Sequence, residues 1–132
     1  MKDKNNSYLL NWEGKTILII ENDYASALLI IELFNDSSAK FIRIQNKEIL
    51  SQSLNEHIDL IIKDVNFHEM KSGLEITKRI KMKFDGTPII AYSGCVLEQD
   101  KENCYHAGCN EFIAKPVDID LLANVLDKYL KE

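Results

Sequence analysis

The stretch DLIIKDV, residues 59–65, decides the fold class of this chain. Its apolar centre, residues 60–62, is continuous, which is typical of a strand covered on both faces within a parallel sheet. The acid Asp64 lies at the end of this strand. Ligands of open parallel sheets bind beyond the carboxyl ends of the strands, so we expect Asp64 at the functional edge.

The same alternation of apolar strands and amphipathic segments extends in both directions along the chain. Further strands are predicted at residues 17–20, 41–44, 89–93 and 111–114. Helices are predicted at residues 23–34, 47–56, 73–84 and 96–107, and Asp118 caps a last helix. Strict alternation favours right-handed crossovers. We therefore predict an α/β, doubly wound fold with a five-stranded parallel sheet and five helices.

The length of the chain leaves room for one domain. With 132 residues, of which 45% are hydrophobic, the chain can bury a single core without metal or disulfide support. We predict a polar amino-terminal lead at residues 1–14 and one domain at residues 15–132. A net charge of −5 disfavours direct binding to nucleic acid, which requires a basic surface.

No segment of the sequence has the pattern of a membrane span or a secretory signal. The longest apolar stretches, residues 17–20 and 27–31, are far shorter than the roughly 20 residues that cross a bilayer. The amino-terminal lead lacks the apolar core of a signal peptide. These observations predict a cytoplasmic protein without membrane contact, whose partners are proteins or small ligands.

The cysteine pattern gives no evidence of a structural metal or a disulfide framework. Cys95, Cys104 and Cys109 are odd in number and form no CxxC pair. Cys104, His106 and Cys109 match no common zinc spacing. Reduced thiols in ordinary helix and turn positions are therefore predicted.

Polar residues follow four of the predicted strands. They are Glu21, Asn22 and Asp23 after the first, Asp64 at the third, Ser93 at the fourth and Lys115 after the fifth. Each alone has an ordinary explanation, such as helix capping or a surface charge. Together they match phosphoryl transfer to a carboxylate, because acids hold Mg²⁺ while a lysine and a hydroxyl complete the phosphoryl site. Asp64 is the candidate nucleophile, since its carboxylate is ionised near neutral pH and needs no general base.

Residues 15–130 resemble the receiver domain of two-component response regulators and hybrid histidine kinases. The motifs that carry the resemblance are ILIIEND at 17–23, DLIIKD at 59–64, PIIAYSG at 88–94 and FIAKP at 112–116. The resemblance implies that Asp64 accepts a phosphoryl group from a histidine kinase or a histidine phosphotransfer protein. It also implies a flavodoxin-like fold with the strand order 2-1-3-4-5. A downstream protein partner and a signalling role in place of an enzymatic one are implied as well.

The resemblance implies a Mg²⁺ site formed by Glu21, Asn22, Asp64 and the backbone carbonyl of Asn66. The family has two adjacent acids after its first strand, where this chain has Glu21 followed by neutral Asn22. Losing a formal charge weakens Mg²⁺ binding, although the Asn22 amide still offers an oxygen. Asp23 is the candidate substitute, and it is also expected to begin the first helix.

The resemblance assigns the remaining site residues to catalysis and switching. Ser93 would move toward the phosphoryl group and Lys115 would pair with it. Phe112 would change rotamer and alter the surface around the fourth predicted helix and the fifth strand. This chain has His68 where the family has a proline in the loop after the phosphoacceptor, and His68 is expected to be a loop residue.

Three alternatives stay open beside a phosphorylated receiver. Asn22 favours a degenerate receiver that binds partners without phosphorylation. A flavin-binding electron carrier shares the architecture, but residues 21–23 would repel a flavin phosphate. An aspartyl-phosphate phosphatase is similar at residues 64–66, yet Asn66 replaces its second acid. The sequence also leaves open whether the chain acts alone or derives from a longer hybrid kinase, toward which WEGK at residues 12–15 is a hint.

Overall fold

The computed structural model describes residues 10–45, 48, 56–65, 70–94 and 98–131. The described part of the chain contains one five-stranded sheet, and every pair of neighbouring strands in it is parallel. The strands are β1 (Thr16–Ile20), β2 (Lys40–Ile44), β3 (Leu60–Asp64), β4 (Ile89–Ser93) and β5 (Glu111–Ala114). Their order, β2-β1-β3-β4-β5, confirms the predicted doubly wound, flavodoxin-like fold.

Helices connect the strands on both sides of the sheet. The described ranges contain α1 (Tyr24–Leu33), α2 (Met70–Lys83), α3 (Glu98–Ala107) and α4 (Ile119–Leu130), with a short 3-10 helix at Asn35–Ser37. The sequence predicts a fifth helix at residues 47–56, most of which lie outside the described residues. No helix within the described ranges is long and apolar enough to cross a membrane.

Two hydrophobic layers cover the sheet, and β1 contributes to both. Ile17 and Ile19 pack in one layer with residues of α1 and α4, while Leu18 and Ile20 pack in the other with residues of α2 and α3. All four side chains are fully buried, and each burial of this size contributes about 1.5–3 kcal/mol. Helices on both faces thus explain why the strand is apolar without alternation.

Trp12 belongs to the predicted lead, and its side chain is part of the core. It is 1% exposed and packs against Phe34 with 5.4 Å between the ring centroids. Its Nε1 donates a hydrogen bond to Asp127 Oδ1 at 2.9 Å, and its backbone N–H donates to the Ser37 carbonyl at 2.7 Å. The segment before β1 is therefore anchored to α1 and α4, while the domain boundary at residue 15 stays a prediction.

The strand register brings the carboxyl ends of the strands together. Asp64 at the end of β3 lies opposite Tyr92 of β4, and Ser93 of β4 lies opposite Ala114 of β5. Since all strands run in the same direction, the residues that follow β1 and β5 reach the same edge. The polar residues at the predicted strand ends are therefore placed for joint chemistry.

Candidate functional site

The centre of the candidate site is a lysine paired with the acid that ends β3. Lys115 Nζ donates a hydrogen bond to Asp64 Oδ1 at 3.0 Å. Lys115 follows β5, and its backbone N–H donates to the carbonyl of Ser93 at 2.7 Å, which holds the lysine beside β4. The Asp64 side chain keeps 22% of its surface exposed. A ligand from solvent can therefore reach a carboxylate that is already held in position.

Glu21, directly after β1, is a buried second acid beside this pair. Its Oε1 accepts a hydrogen bond from Tyr92 Oη at 2.7 Å and lies 3.9 Å from Lys115 Nζ. Lys115 Nζ also lies 4.6 Å from the centroid of the Tyr92 ring, a distance that allows a cation–π contact. We call Glu21, Asp64, Tyr92 and Lys115 the acidic cluster.

Burial controls the electrostatics of the acidic cluster. It raises the pKa of Glu21; the nearby Asp64 adds to this rise, while the hydrogen bond from Tyr92 and the charge of Lys115 oppose it. Burial and the bond to Glu21 also raise the pKa of Tyr92, so its hydroxyl stays a donor. Two close carboxyl groups that share one lysine form a site whose local charge favours a cation.

The acidic cluster fits Mg²⁺ through two carboxylates. Glu21 Oε1 and Asp64 Oδ1 both approach Lys115 Nζ, which places two hard oxygen donors side by side. Mg²⁺ in proteins is commonly bound by one or two carboxylates, with waters completing an octahedron. In the described part of the chain, no three His, Cys, Asp or Glu side chains are grouped to hold a metal ion. A magnesium site here would therefore rest on this pair and on neutral oxygens.

Arg43 of β2 is a site neighbour that the sequence did not identify. Its Nε donates to the backbone carbonyl of Glu21 at 2.9 Å, and its Nη2 donates to that of Asn22 at 2.8 Å. The guanidinium also lies 5.4 Å from the centroid of the Tyr24 ring. Arg43 thus holds the segment between β1 and α1, and it adds a positive charge beside the site.

Asp23, the candidate substitute acid, caps α1. Its Oδ1 accepts from the backbone N–H of Ala25 at 3.3 Å, and its Oδ2 accepts from Ser26 Oγ at 2.6 Å. The hydrogen bond from Ser26 is the main reason that the pKa of Asp23 is lowered. Both carboxylate oxygens are therefore engaged in starting the helix, as expected from the sequence.

The predicted switch residues lie on the two strands next to the acidic cluster. Ser93 is buried at the end of β4, and Phe112 of β5 is half-buried against the layer that contains α2 and α3. The movement predicted for Ser93 and Phe112 stays a prediction. Asn66 and His68 lie outside the described residues, so the proposed carbonyl ligand and the loop position stay predictions as well.

Fold and site together define a class of protein. A small doubly wound domain with paired acids and a lysine at the carboxyl edge of its sheet has the arrangement of a signalling receiver. The chain belongs to the response regulator receiver domain family, whose family model matches residues 17–127. Receiver domains of this family act in two-component signalling, where they interact with histidine kinases and downstream partners.

Individual relatives agree with this assignment. The chain is similar to the polar-differentiation response regulator DivK of Brucella ovis, with 29% identity over 119 residues that cover 88% of this chain and 96% of that protein. A signal receiver domain of a two-component histidine kinase from Clostridium thermocellum has a TM-score of 0.79 and 26% identity, covering 90% of this chain and 99% of that one. The receiver domain of a sensor histidine kinase from Pseudomonas aeruginosa shares the fold, with a TM-score of 0.72, 22% identity and coverage of 90% and 99%. That structure has a magnesium ion coordinated in its active-site cleft.

Proposed function

We propose that this chain is a phosphorylation-dependent switch in which Asp64 accepts a phosphoryl group from a phosphohistidine of a histidine kinase or phosphotransfer protein. The observation that carries the proposal is the hydrogen bond between Lys115 and the exposed carboxylate of Asp64, with the second acid Glu21 beside it. A lysine held on a carboxylate at the end of a central strand can keep the nucleophile oriented. It can also pair with the phosphoryl oxygens after transfer.

The transfer needs no general base. An oxygen of the Asp64 side chain attacks the phosphorus, an O–P bond forms, and the P–N bond of the phosphohistidine breaks with its electrons leaving on the imidazole. Glu21, Asn22, Asp64 and the predicted Asn66 carbonyl would hold Mg²⁺, which would supply positive charge to neutralise the phosphoryl oxygens. Tyr92 keeps Glu21 in place through its 2.7 Å hydrogen bond. Lys115 moves from the carboxylate to the phosphoryl group.

The proposed readout is a change in the surface where α3 meets β5. Ser93 turns toward the phosphoryl group, and Phe112 occupies the space that this movement opens. Two contacts support this coupling, because Lys115 is tied to Ser93 through the backbone and Ala91 of β4 lies opposite Phe112 of β5. Such a small bistable element, biased by local charge, is enough to change partner binding.

The proposed phosphodonor contacts the exposed side of α1. This helix begins three residues after Glu21, so its amino-terminal half lies next to the mouth of the site. Tyr24 is 62% exposed, Leu29 is 60% exposed and Leu28 is 39% exposed, so this helix presents three large apolar side chains to solvent. A helical partner that brings a phosphohistidine to Asp64 would cover this surface.

Phosphorylation is tested with a small phosphodonor, acetyl phosphate, and the intact mass of the protein. With Mg²⁺ present, wild type should gain the mass of one phosphoryl group, and the gain should vanish when Mg²⁺ is chelated. Asp64→Asn should show no gain. No adduct on wild type, or an adduct that survives in Asp64→Asn, would contradict the proposal.

A degenerate receiver that binds its partner without phosphorylation is the second candidate. Asn22 in place of an acid and the positive charge of Arg43 favour it, since both lower the affinity of the site for a cation. Asn22→Asp distinguishes the two candidates. If the variant binds Mg²⁺ and is phosphorylated while wild type does neither, the degenerate receiver is supported.

A further inference from the structure

The end of α3 places two cysteines side by side in the core. The backbone N–H of Cys109 donates to the carbonyl of Cys104 at 3.1 Å, and that of Gly108 donates to Tyr105 at 3.1 Å. With Gly108 at φ +118°, these bonds form a Schellman motif, which brings the side chains of its first and last residues into contact. Here those two residues are Cys104 and Cys109.

The two thiols differ in chemistry although they are neighbours. They are hydrogen-bonded to each other, and this bond lowers the pKa of Cys104 with a smaller contribution from the amino group of Lys63. The same bond and burial raise the pKa of Cys109. Cys104 is therefore the better thiolate, and Cys109 stays a protonated neighbour.

Lys63 is an unusual neighbour for this pair. It belongs to β3, is 1% exposed, and donates from Nζ to the backbone carbonyl of Asp64 at 3.1 Å. Lysine is almost never fully buried without a partner. Burial lowers the pKa of Lys63. The cysteine pair therefore shares an otherwise apolar layer with one buried polar side chain.

We propose that Cys104 and Cys109 form a redox pair that a hydroperoxide converts into an intramolecular disulfide. The Cys104 thiolate attacks one peroxide oxygen, so an S–O bond forms, the O–O bond breaks and hydroxide leaves. This step oxidises the sulfur to a sulfenic acid and reduces the peroxide. The Cys109 sulfur then attacks the Cys104 sulfur, so an S–S bond forms, the S–O bond breaks and water leaves with the Cys109 proton.

The position of the two cysteines gives the modification a structural consequence. Cys104 lies in α3 and Cys109 precedes β5 by two residues, so a disulfide would join the end of the helix to the approach to the strand. Cys104 is fully buried and Cys109 is 6% exposed, which favours a small oxidant. The alternative is that both thiols are unreactive core residues. In that case, peroxide would leave both of them reduced in the folded protein.

The full chain can be tested directly with hydrogen peroxide. After treatment, free thiols are alkylated in denaturant and the protein is digested with trypsin. The bond between Lys115 and Pro116 resists trypsin, so one peptide, residues 102–128, contains both cysteines, and Cys95 lies on residues 84–101. The 102–128 peptide should lose two hydrogen atoms, escape alkylation, and regain both thiols with dithiothreitol.

Variants identify the role of each residue. Cys104→Ser should abolish the disulfide, and Cys109→Ser should stop at a sulfenic acid on Cys104 that dimedone traps. Cys95→Ser should form the disulfide at the rate of wild type, because Cys95 is not part of the pair.

Two results on unmutated protein would overturn the proposal, whatever the variants do. One is full alkylation of both cysteines after a treatment that oxidises free cysteine in the same tube. The other is a disulfide that forms only in urea, which would show that the native pair is an inert core contact.

Discussion

The two edges of the sheet use polar side chains in different ways. At the amino edge, Asp59 Oδ2 accepts from the backbone N–H of Thr16 at 2.8 Å, and Asn110 Oδ1 accepts from that of Ile89 at 2.9 Å. At the carboxyl edge, the residues of the acidic cluster bind mainly one another. Side chains at the amino edge therefore satisfy the backbone, whereas those at the carboxyl edge hold charges ready for a ligand.

Substitutions at the two edges of the sheet should therefore have different effects. Changes at the carboxyl edge should alter ligand chemistry, and they should affect folding mainly through the charges of the two crowded acids. Changes at the amino edge should alter folding with little effect on chemistry, because they leave a buried backbone N–H without a partner.

The largest effect is expected for Lys115→Met. Removing the only cation of the acidic cluster takes away the charge that pairs with the phosphoryl oxygens, so we expect phosphorylation by acetyl phosphate to slow by about 10²-fold. Lys128→Met is the matched control, since Lys128 forms a more exposed ion pair with Glu111 at 3.5 Å. Equal rates for the two variants, measured by intact mass over time, would contradict the role of Lys115.

Glu21→Gln should weaken Mg²⁺ binding by about tenfold, because one of two carboxylates becomes neutral.

Glu21→Gln should also change the pH dependence of stability. The raised pKa of Glu21 means that the folded state binds a proton more tightly than the unfolded state, so the free energy of unfolding falls as pH rises from the ordinary pKa of glutamate through the raised one. Urea unfolding at several pH values should show this decrease in wild type and a smaller decrease in the variant. An identical pH profile would refute the electrostatic account of Glu21.

Asn110→Ala should lower the free energy of unfolding by about 1–2 kcal/mol, since the backbone N–H of Ile89 loses its acceptor. Phosphorylation should proceed at the rate of wild type. Asn103→Ala provides a control on the surface, because Asn103 binds the exposed Gln99. If phosphorylation falls by more than the fraction of folded protein, Asn110 contributes to the chemistry as well as to folding. That result would contradict the proposed difference between the two edges.

The smallest effect is expected for Asp23→Ser. Serine keeps a capping oxygen for α1 and removes the charge, so Mg²⁺ affinity should stay within about twofold if Asp23 serves the helix. Isothermal titration calorimetry with Mg²⁺ measures the affinity of the variant and of wild type. A tenfold loss would instead make Asp23 the replacement for the missing acid, and the site would extend beyond the acidic cluster.

The sequence predicts the fold well because its signals are local. Continuous apolar runs mark the strands and predict a parallel sheet whose two faces are both covered, whereas the strand order is predicted from the resemblance to receiver domains. The position of Asp64, Glu21 and Lys115 at one edge follows from the same rule, since parallel strands end together.

The partners within the site are harder to predict because they depend on distant parts of the chain. In the sequence, Tyr92 looks like one more apolar residue of a strand. In the structure, its hydroxyl donates a hydrogen bond to Glu21, which is 71 positions away in sequence. In the sequence, Arg43 looks like an ordinary polar residue of an edge strand. Its hydrogen bonds to the backbone carbonyls of Glu21 and Asn22 depend on the folded structure and cannot be predicted from the local sequence. Trp12 lies in a polar lead, and only the packing of α1 and α4 explains its burial.

The central claim is that Asp64 is the phosphoacceptor, and it can be tested by locating the phosphoryl group. Protein treated with acetyl phosphate and Mg²⁺ is reduced with borohydride, which converts an aspartyl phosphate to homoserine, and is then digested with trypsin. Cleavage after Lys63 releases residues 64–71, which begin with Asp64. We predict homoserine at position 64 of this peptide. Homoserine at another position, or its absence in protein that binds Mg²⁺, would contradict the account.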